Sequence, residues 1–488
     1  MIDAKRLPLD SGLVREFGPR ALLILLTLVS VAVLYDRPLV LSGLTVGIGV
    51  VVAMTVDRRL VIPIIVLLLP LEIGARLIPV LQTDQTARLG ASALNLARLG
   101  ILAGAMLWTI RARSDWWRDL PASPLYLPLA LLLGLYLLSL SNTEDIKGAL
   151  DEVARLSLHL AFFLLILLHV RDRHSLRWVI LALIISGLAV ALIGIFEQIT
   201  DTYLWNEEAL RRLGVRRNAT FVNSNYYARF LVITMVMATA LFFHEKSRLR
   251  YLLLAAFAFA ALALPFTSSR SNWVAAATLL PLLVLVLPIN PRLRVRLLAI
   301  GVVSGIALIG IVAAREPALA DRLQSLTSAR QSLEERSFQI RAGWQMFLDH
   351  PLFGVGLASY DDELLGPYIH FAPPGFARAS DGTAILSHTS VITVMSELGI
   401  AGLTVLALLL YRFARGSWRL YREANAEDRA LAAGLVGAFL VILLHSNFGA
   451  HFFTEPYLWL VLGLMTALAA IRQRESQRDT GGEARVQR

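Results

Sequence analysis

The chain has no cysteine in its 488 residues, so no disulfide braces any loop. This leaves the compartment open, because a disulfide-free loop is permissible on either side of a membrane. Charge is also scarce: 17% of residues are charged and 56% hydrophobic, with a mean hydropathy of +0.63. A soluble domain of this length needs far more polar surface, which excludes that class. The chain shows no soluble effector domain, no evident internal repeat and no small-residue cleavage site behind its first apolar run. That run therefore reads as an uncleaved anchor. Low-complexity sequence is confined to the polar tail 472–488, expected to be disordered.

What remains is apolar sequence in pieces of membrane-crossing length. Runs lie near 20–35, 39–56, 60–71, 92–110, 122–141, 152–169, 176–199, 226–243, 250–266, 272–289, 296–314, 388–411, 430–447 and 456–471. A span needs roughly 20 apolar residues, and in lipid every backbone amide must be paired within its segment. The expected fold is all-α: a polytopic membrane bundle of about 12–14 transmembrane helices with one long, partly helical extracytoplasmic loop. The divisions are a cytoplasmic segment 1–19, a first part of the bundle 20–314, the loop 315–387 carrying part of the active site, a last part 388–471, and the tail 472–488.

A formal charge of +10 invites a nucleic-acid reading, but the placement of the charge argues against it. Lys and Arg recur in alternate connections: Arg58/Arg59, Arg111/Arg113/Arg118, Arg171/Arg173/Arg177, Lys246/Arg248/Arg250, Arg292/Arg294/Arg296 and Arg412/Arg415/Arg419/Arg422. This is the positive-inside pattern, and it puts both termini in the cytoplasm. The connections 72–91, 200–225 and 315–387 then face outward, as does the short turn Phe266–Asn272. These outer segments are rich in arginine, with Arg216 and Arg217 in one, Arg270 in the turn, and Arg336 and Arg341 in the longest; Lys147 is the lone outer lysine. Lipid phosphate is the bland partner for any one of them. A preference for the planar bidentate fork over a point charge is also what diphosphate recognition asks for.

The loop is not featureless. EERSFQIRAGWQMFLD (334–349) has helical apolar spacing, Pro351 stops that helix, and Gly354-Val-Gly356 provides a tight turn. His350, before the proline, reads as a C-terminal cap. His388 opens the next span, where a neutral imidazole suits a general base; the alternative is an interfacial histidine bonded to a helix end. Glu397, deeper in the same span, reads as having a buried partner such as an arginine. Asn223 or Asn225 caps the span at 226–243, leaving amides that point outward beside Arg216 and Arg217. Asp361/Asp362/Glu363 reads as a solvated turn, and no outer acidic cluster has metal-ligand spacing.

Four of these pieces, taken in order, carry a resemblance. RNATFVNSNYYARFL is similar to the R-x-x-G-T-F-x-N-P-N-x-x-A segment of the O-antigen ligase and polymerase family, with Ala219 and Ser224 in place of its Gly and Pro. TSSRS resembles the family's T-x-S-R-G, with Ser271 for Gly. RSFQIRAGWQMFLDHPLFGVGLASY resembles its R…hPl-x-G-v-G signature through Arg336, His350, Pro351, Gly354, Gly356 and Tyr360. SHTSVITVMSELGIAGL is similar to its H-N-x-x-L…E-x-G pattern, with Thr389 for the commonest Asn.

The resemblance covers roughly residues 190–450 and implies a glycosyltransferase of the bacterial inner membrane. The donor would be a polyprenyl-diphosphate-linked glycan and the acceptor a hydroxyl on a glycan or glycolipid. Arg216, Arg217, Arg270, Arg336 and Arg341 would hold the diphosphate and His388 would activate the acceptor. Asn223, Asn225, Tyr360 and Glu397 would support them, with no metal or other cofactor and no nucleic acid. Ligase, polymerase and protein-glycan transfer stay open. The alternative from another class is a transporter or flippase of lipid-linked oligosaccharide, for which paired halves and short outer loops are expected.

Overall fold

The computed structural model describes residues 56–71, 100–101, 104–105, 116–202, 217–221, 223–315, 330–372, 389–447 and 452–486. The apolar runs at 20–35, 39–56 and most of 92–110 lie outside these. Among the described residues the chain is helical without a strand. Among the described residues, seven helices are long and apolar enough to cross a membrane: Ile146–His169, Arg173–Thr200, Ser224–Phe242, Leu249–Thr267, Ser390–Glu423, Ala426–Ser446 and Pro456–Arg478. Tyr126–Ser139 and Arg270–Val286 are shorter apolar helices. The run at 60–71 yields only Val61–Leu68.

Local chemistry sets the helix starts. Asp145 accepts from Gly148 N at 3.0 Å, Asp172 and Ser175 form a reciprocal capping box, and Asn425 accepts from Asp428 N at 2.9 Å. Ser224–Phe242 is the centre of the bundle, packed against Arg173–Thr200, Leu249–Ala263, Arg270–Val286 and Ala426–Ser446. Apolar side chains such as Leu131, Leu138, Leu254 and Leu285 stay exposed on the periphery, as a lipid-facing surface requires.

The two ends of the bundle differ in chemistry. At one end Asp428 binds Arg173 at 2.7 Å and Arg472 at 2.8 Å, Arg173 binds Glu475 at 2.7 Å, and Arg177 binds Glu245 at 2.8 Å. The arginine-bearing connections gather here. The Glu475 and Arg472 contacts correct one expectation: the last helix runs from Pro456 to Val486, so the tail is helical through residue 486. Its composition is that of a disordered segment, but the ion pairs near its start give the helix partners outside itself.

At the opposite end the long loop folds back on the bundle. The expected surface helix spans Arg330–Asp349 and buries Phe338, Ala342 and Met346, four residues apart, against Tyr360, Leu364 and Tyr368. Its other stripe, Ile340, Trp344 and Leu348, remains exposed.

The segment after this helix does more than turn. The Ser390–Glu423 helix breaks at Gly399 (φ 62°, ψ −154°), and residues 351–356 fill the break. Val355 N donates to Ser396 O at 2.8 Å and Gly356 N to Glu397 O at 3.1 Å. Ile400 N donates to Pro351 O at 2.9 Å and Ala401 N to Leu352 O at 3.3 Å. Two bonds that a continuous helix would make to itself, from 400 to 396 and from 401 to 397, are exchanged for four to the loop. A Cβ on Gly354 would lie 2.3 Å from Ser396 O, and one on Gly399 2.5 Å from Leu352 O. The glycines therefore serve main-chain docking, which the motif's reading as a tight turn did not capture.

Candidate active site

Several outward-reading segments converge at the loop end. Asn223 is the N-cap of the central helix, its side chain accepting from Asn225 N at 2.8 Å, which resolves the choice between the two asparagines. Asn225 Oδ1 in turn accepts from Ser269 Oγ at 2.7 Å, and Asn272 Nδ2 donates to Asn225 O at 3.2 Å and to Ser269 Oγ at 2.9 Å. The first two motifs are thus stitched together, with Arg270 at the start of its helix beside this network.

Two departures from the family pattern have a local basis. Ala219, where the family has glycine, sits at φ 46°, with its N–H bonded to buried Glu197 at 3.0 Å. Ser224, where the family has proline, is the first residue of the helix, a position proline suits.

Arg270 and Arg336 come from segments 66 residues apart in the sequence, yet lie close enough for their charges to act on each other. Burial first, and the Arg270 guanidinium second, hold Arg336 below the usual arginine range. Two half-buried guanidinium groups near enough to influence each other are a natural place for a multiply charged anion.

The other arginines differ. Arg217 is buried, donating to Gln198 Oε1 at 2.9 Å and Asp201 Oδ1 at 2.6 Å, and its N–H meets Phe266 O at 3.0 Å. It braces the 198–201 and 264–267 ends. Arg341 is exposed and donates Nε–H to Ser337 O of its own helix at 3.2 Å. Arg216 and His388 lie outside the described residues; the helix after His388 begins at Ser390, whose hydroxyl donates to Ser446 O at 2.8 Å and accepts from Phe452 N at 2.9 Å.

Below that helix start is a cavity of about 140 Å³ lined by Tyr136, Glu152, Asp361, Thr393, Glu397 and Phe452, among others. Tyr360 is buried beside it, with its hydroxyl on Gln339 O at 2.9 Å and its N–H on Glu397 Oε1 at 3.3 Å. Two expectations are corrected here. Glu397 has a main-chain amide as its partner where an arginine was expected, and Asp361 lines the cavity and is not part of a solvated turn. Burial, and then the neighbouring Asp362, push the Asp361 carboxyl up from 3.8 to about 7. Among the described residues, no group of three or more His, Asp or Glu side chains is arranged to hold a metal ion.

Sequence reasoning missed a buried ionic network just beneath. Arg229, 1% exposed, donates to Glu455 Oε1 and, at 3.1 Å, to His445 Nδ1, with its guanidinium over the Tyr226 ring at 4.9 Å. Because arginine only donates, His445 Nδ1 must be the accepting nitrogen. The available signal was a lone arginine inside YYARFLVITM, and intramembrane charge is a marker of function or of a buried partner.

No curated protein matches the chain. Residues 253–407 match a family model described as O-Antigen ligase. The match takes in Arg270, Arg336, Arg341, Tyr360, His388 and Glu397, and so covers the loop, the helix break and most of the converging segments. Together with the all-helical, membrane-crossing architecture, that match supports the motif reading: the chain is a polytopic membrane protein whose residues 253–407 are similar to the O-antigen ligase family.

Proposed function

We propose that the protein is a membrane glycosyltransferase that moves a glycan from a polyprenyl-diphosphate carrier to an acceptor sugar hydroxyl at the extracytoplasmic face. The observation that carries this reading is the convergence of Arg270 and Arg336 at the loop end of the bundle. In the proposed reaction the acceptor oxygen attacks the anomeric carbon, and the bond from that carbon to the diphosphate oxygen breaks. The acceptor proton passes to His388, and polyprenyl diphosphate leaves. Charge developing on the leaving diphosphate needs donors already in place, and two arginine forks supply them without a metal. Arg216 joins them from the preceding connection, Arg341 provides a further cation on the loop helix, and Arg217 holds the two connections in register. The arginine-rich end built around Asp428 faces the cytoplasm, with both termini, in accord with the positive-inside pattern.

The test is transfer from a polyprenyl-diphosphate glycan in membranes. His388→Ala should lower turnover by about 10²–10⁴ with donor binding retained. Arg270→Lys and Arg336→Lys keep charge but lose the fork, and should weaken donor binding and rate together. Transfer should persist in excess chelator. An active His388→Ala beside a dead His350→Ala would refute the assignment of the base.

A further inference from the structure

The cavity at the loop end has no part in the diphosphate chemistry above. Its volume of about 140 Å³ is roughly ten times the least space that holds one water, so it admits a ring-sized ligand. Its walls come from separate segments. The ends of Tyr126–Ser139 and Ile146–His169 contribute Tyr136 and Glu152, the loop contributes Asp361, and the helix after His388 contributes Glu397. Phe452 and Phe453 also line the cavity.

Carboxyl groups and aromatic rings lining one cavity form a particular combination. A pyranose ring presents hydroxyls around its rim, each both donor and acceptor, and an apolar C–H face. Glu152 is already engaged with Arg155 at 2.8 Å and Glu397 with Tyr360 N, whereas the Asp361 carboxyl makes no side-chain hydrogen bond among the described residues. A carboxyl poised near neutrality supplies both a donor and an acceptor, as a hydroxyl pair requires. A metal ion fits poorly, since the described residues form no metal-holding group.

We propose that this cavity seats the terminal sugar ring of the acceptor, with Asp361 and Glu397 taking its hydroxyls and Phe452 and Phe453 its apolar face. The assignment rests on the transferase reading and names where that reaction's second substrate sits. The ring would stand directly below the start of the helix that follows His388.

The absence of cysteine makes the test direct. Thr454→Cys places one thiol on the cavity wall, and Val394→Cys is a second, independent reporter if the first fails to fold. Full-length protein in lipid nanodiscs is labelled with a small neutral methanethiosulfonate, alone or with high concentrations of methyl α-D-glucopyranoside, galactopyranoside or mannopyranoside. At least one pyranoside should slow labelling severalfold, glycerol should not, and Asp361→Ala in the reporter background should abolish the protection. Protection by no pyranoside, or protection that survives Asp361→Ala, overturns the assignment. Transfer activity without sugar protection overturns the cavity assignment alone. Sugar protection without any transfer overturns the transferase reading and with it the acceptor role.

Discussion

Replacing three glycines by alanine should give effects of opposite sign, all on one helix or on the loop that docks into it. Gly399 has φ 62° and ψ −154°, a region that only glycine occupies comfortably, and holding alanine there costs about 1–3 kcal/mol. Its Cβ would also lie 2.5 Å from the Leu352 carbonyl, so the loop must retreat by about an ångström to restore ordinary contact. Retreat stretches the Ile400–Pro351 and Ala401–Leu352 bonds, now 2.9 and 3.3 Å, each worth about 1 kcal/mol or more when buried. Gly399→Ala should therefore destabilise by about 3–6 kcal/mol. Gly354→Ala, at φ 71° and 2.3 Å from Ser396 O, should match it. Gly416 lies in the same helix, and a methyl group there would meet nothing within 4 Å, so Gly416→Ala should stabilise by about 0.5–1 kcal/mol. Thermal unfolding of purified protein in detergent reads all three, with a fall of roughly 5–10 °C expected for the first two and a small rise for the third. A Gly399→Ala protein that melts with the wild type would refute the docking.

Other outcomes follow from the ionic groups and the strained turn. Asp361 is raised from 3.8 to about 7, so the native state holds its proton more tightly than the unfolded chain. Stability should be full below pH ~4 and decline as pH rises to about 7, by no more than about 4 kcal/mol, and Asp361→Asn should flatten that slope in a melting series. A slope unchanged in Asp361→Asn would show that another group is responsible. Breaking the Arg229–Glu455 pair from one side, by Arg229→Met or Glu455→Gln, should cost about 3–5 kcal/mol, whereas a loss under 1 kcal/mol would mean the pair is hydrated. Ala219→Gly should raise the melting temperature, because alanine at φ 46° carries about 1 kcal/mol of backbone strain; a lower value would count against that strain.

Much of the architecture was legible because lipid imposes simple rules. Apolar runs of sufficient length become helices, and alternating arginines predict which ends of those helices gather together. The capping asparagine was legible to within two residues because Asn223 and Asn225 both suit that position. The pairing of Arg270 with Arg336 was not legible as geometry, because nothing local links a turn between two spans to a helix in the long loop. The cavity was hidden for the same reason: Glu152, Asp361 and Glu397 belong to separate segments that meet only in three dimensions. Glu397 was misjudged because a buried carboxylate suggests a cation, while the loop offered a main-chain amide. The tail misled because its composition is that of a disordered segment, and composition does not register Asp428 waiting for Arg472.

The helix broken at Gly399 also constrains how the molecule is made. In hydrocarbon a span must pair every amide, yet this one cannot do so alone. Its missing partners are Pro351, Leu352, Val355 and Gly356, all of which leave the ribosome before the span does. In the proposed topology those residues have already crossed to the far side when the span is synthesised. The earlier segment must therefore return to meet the later one, and the span is complete only after that meeting. Insertion of this helix and folding of the outer loop form a single biogenesis step, so a truncation or fusion between residues 356 and 390 should leave neither half able to settle in the membrane.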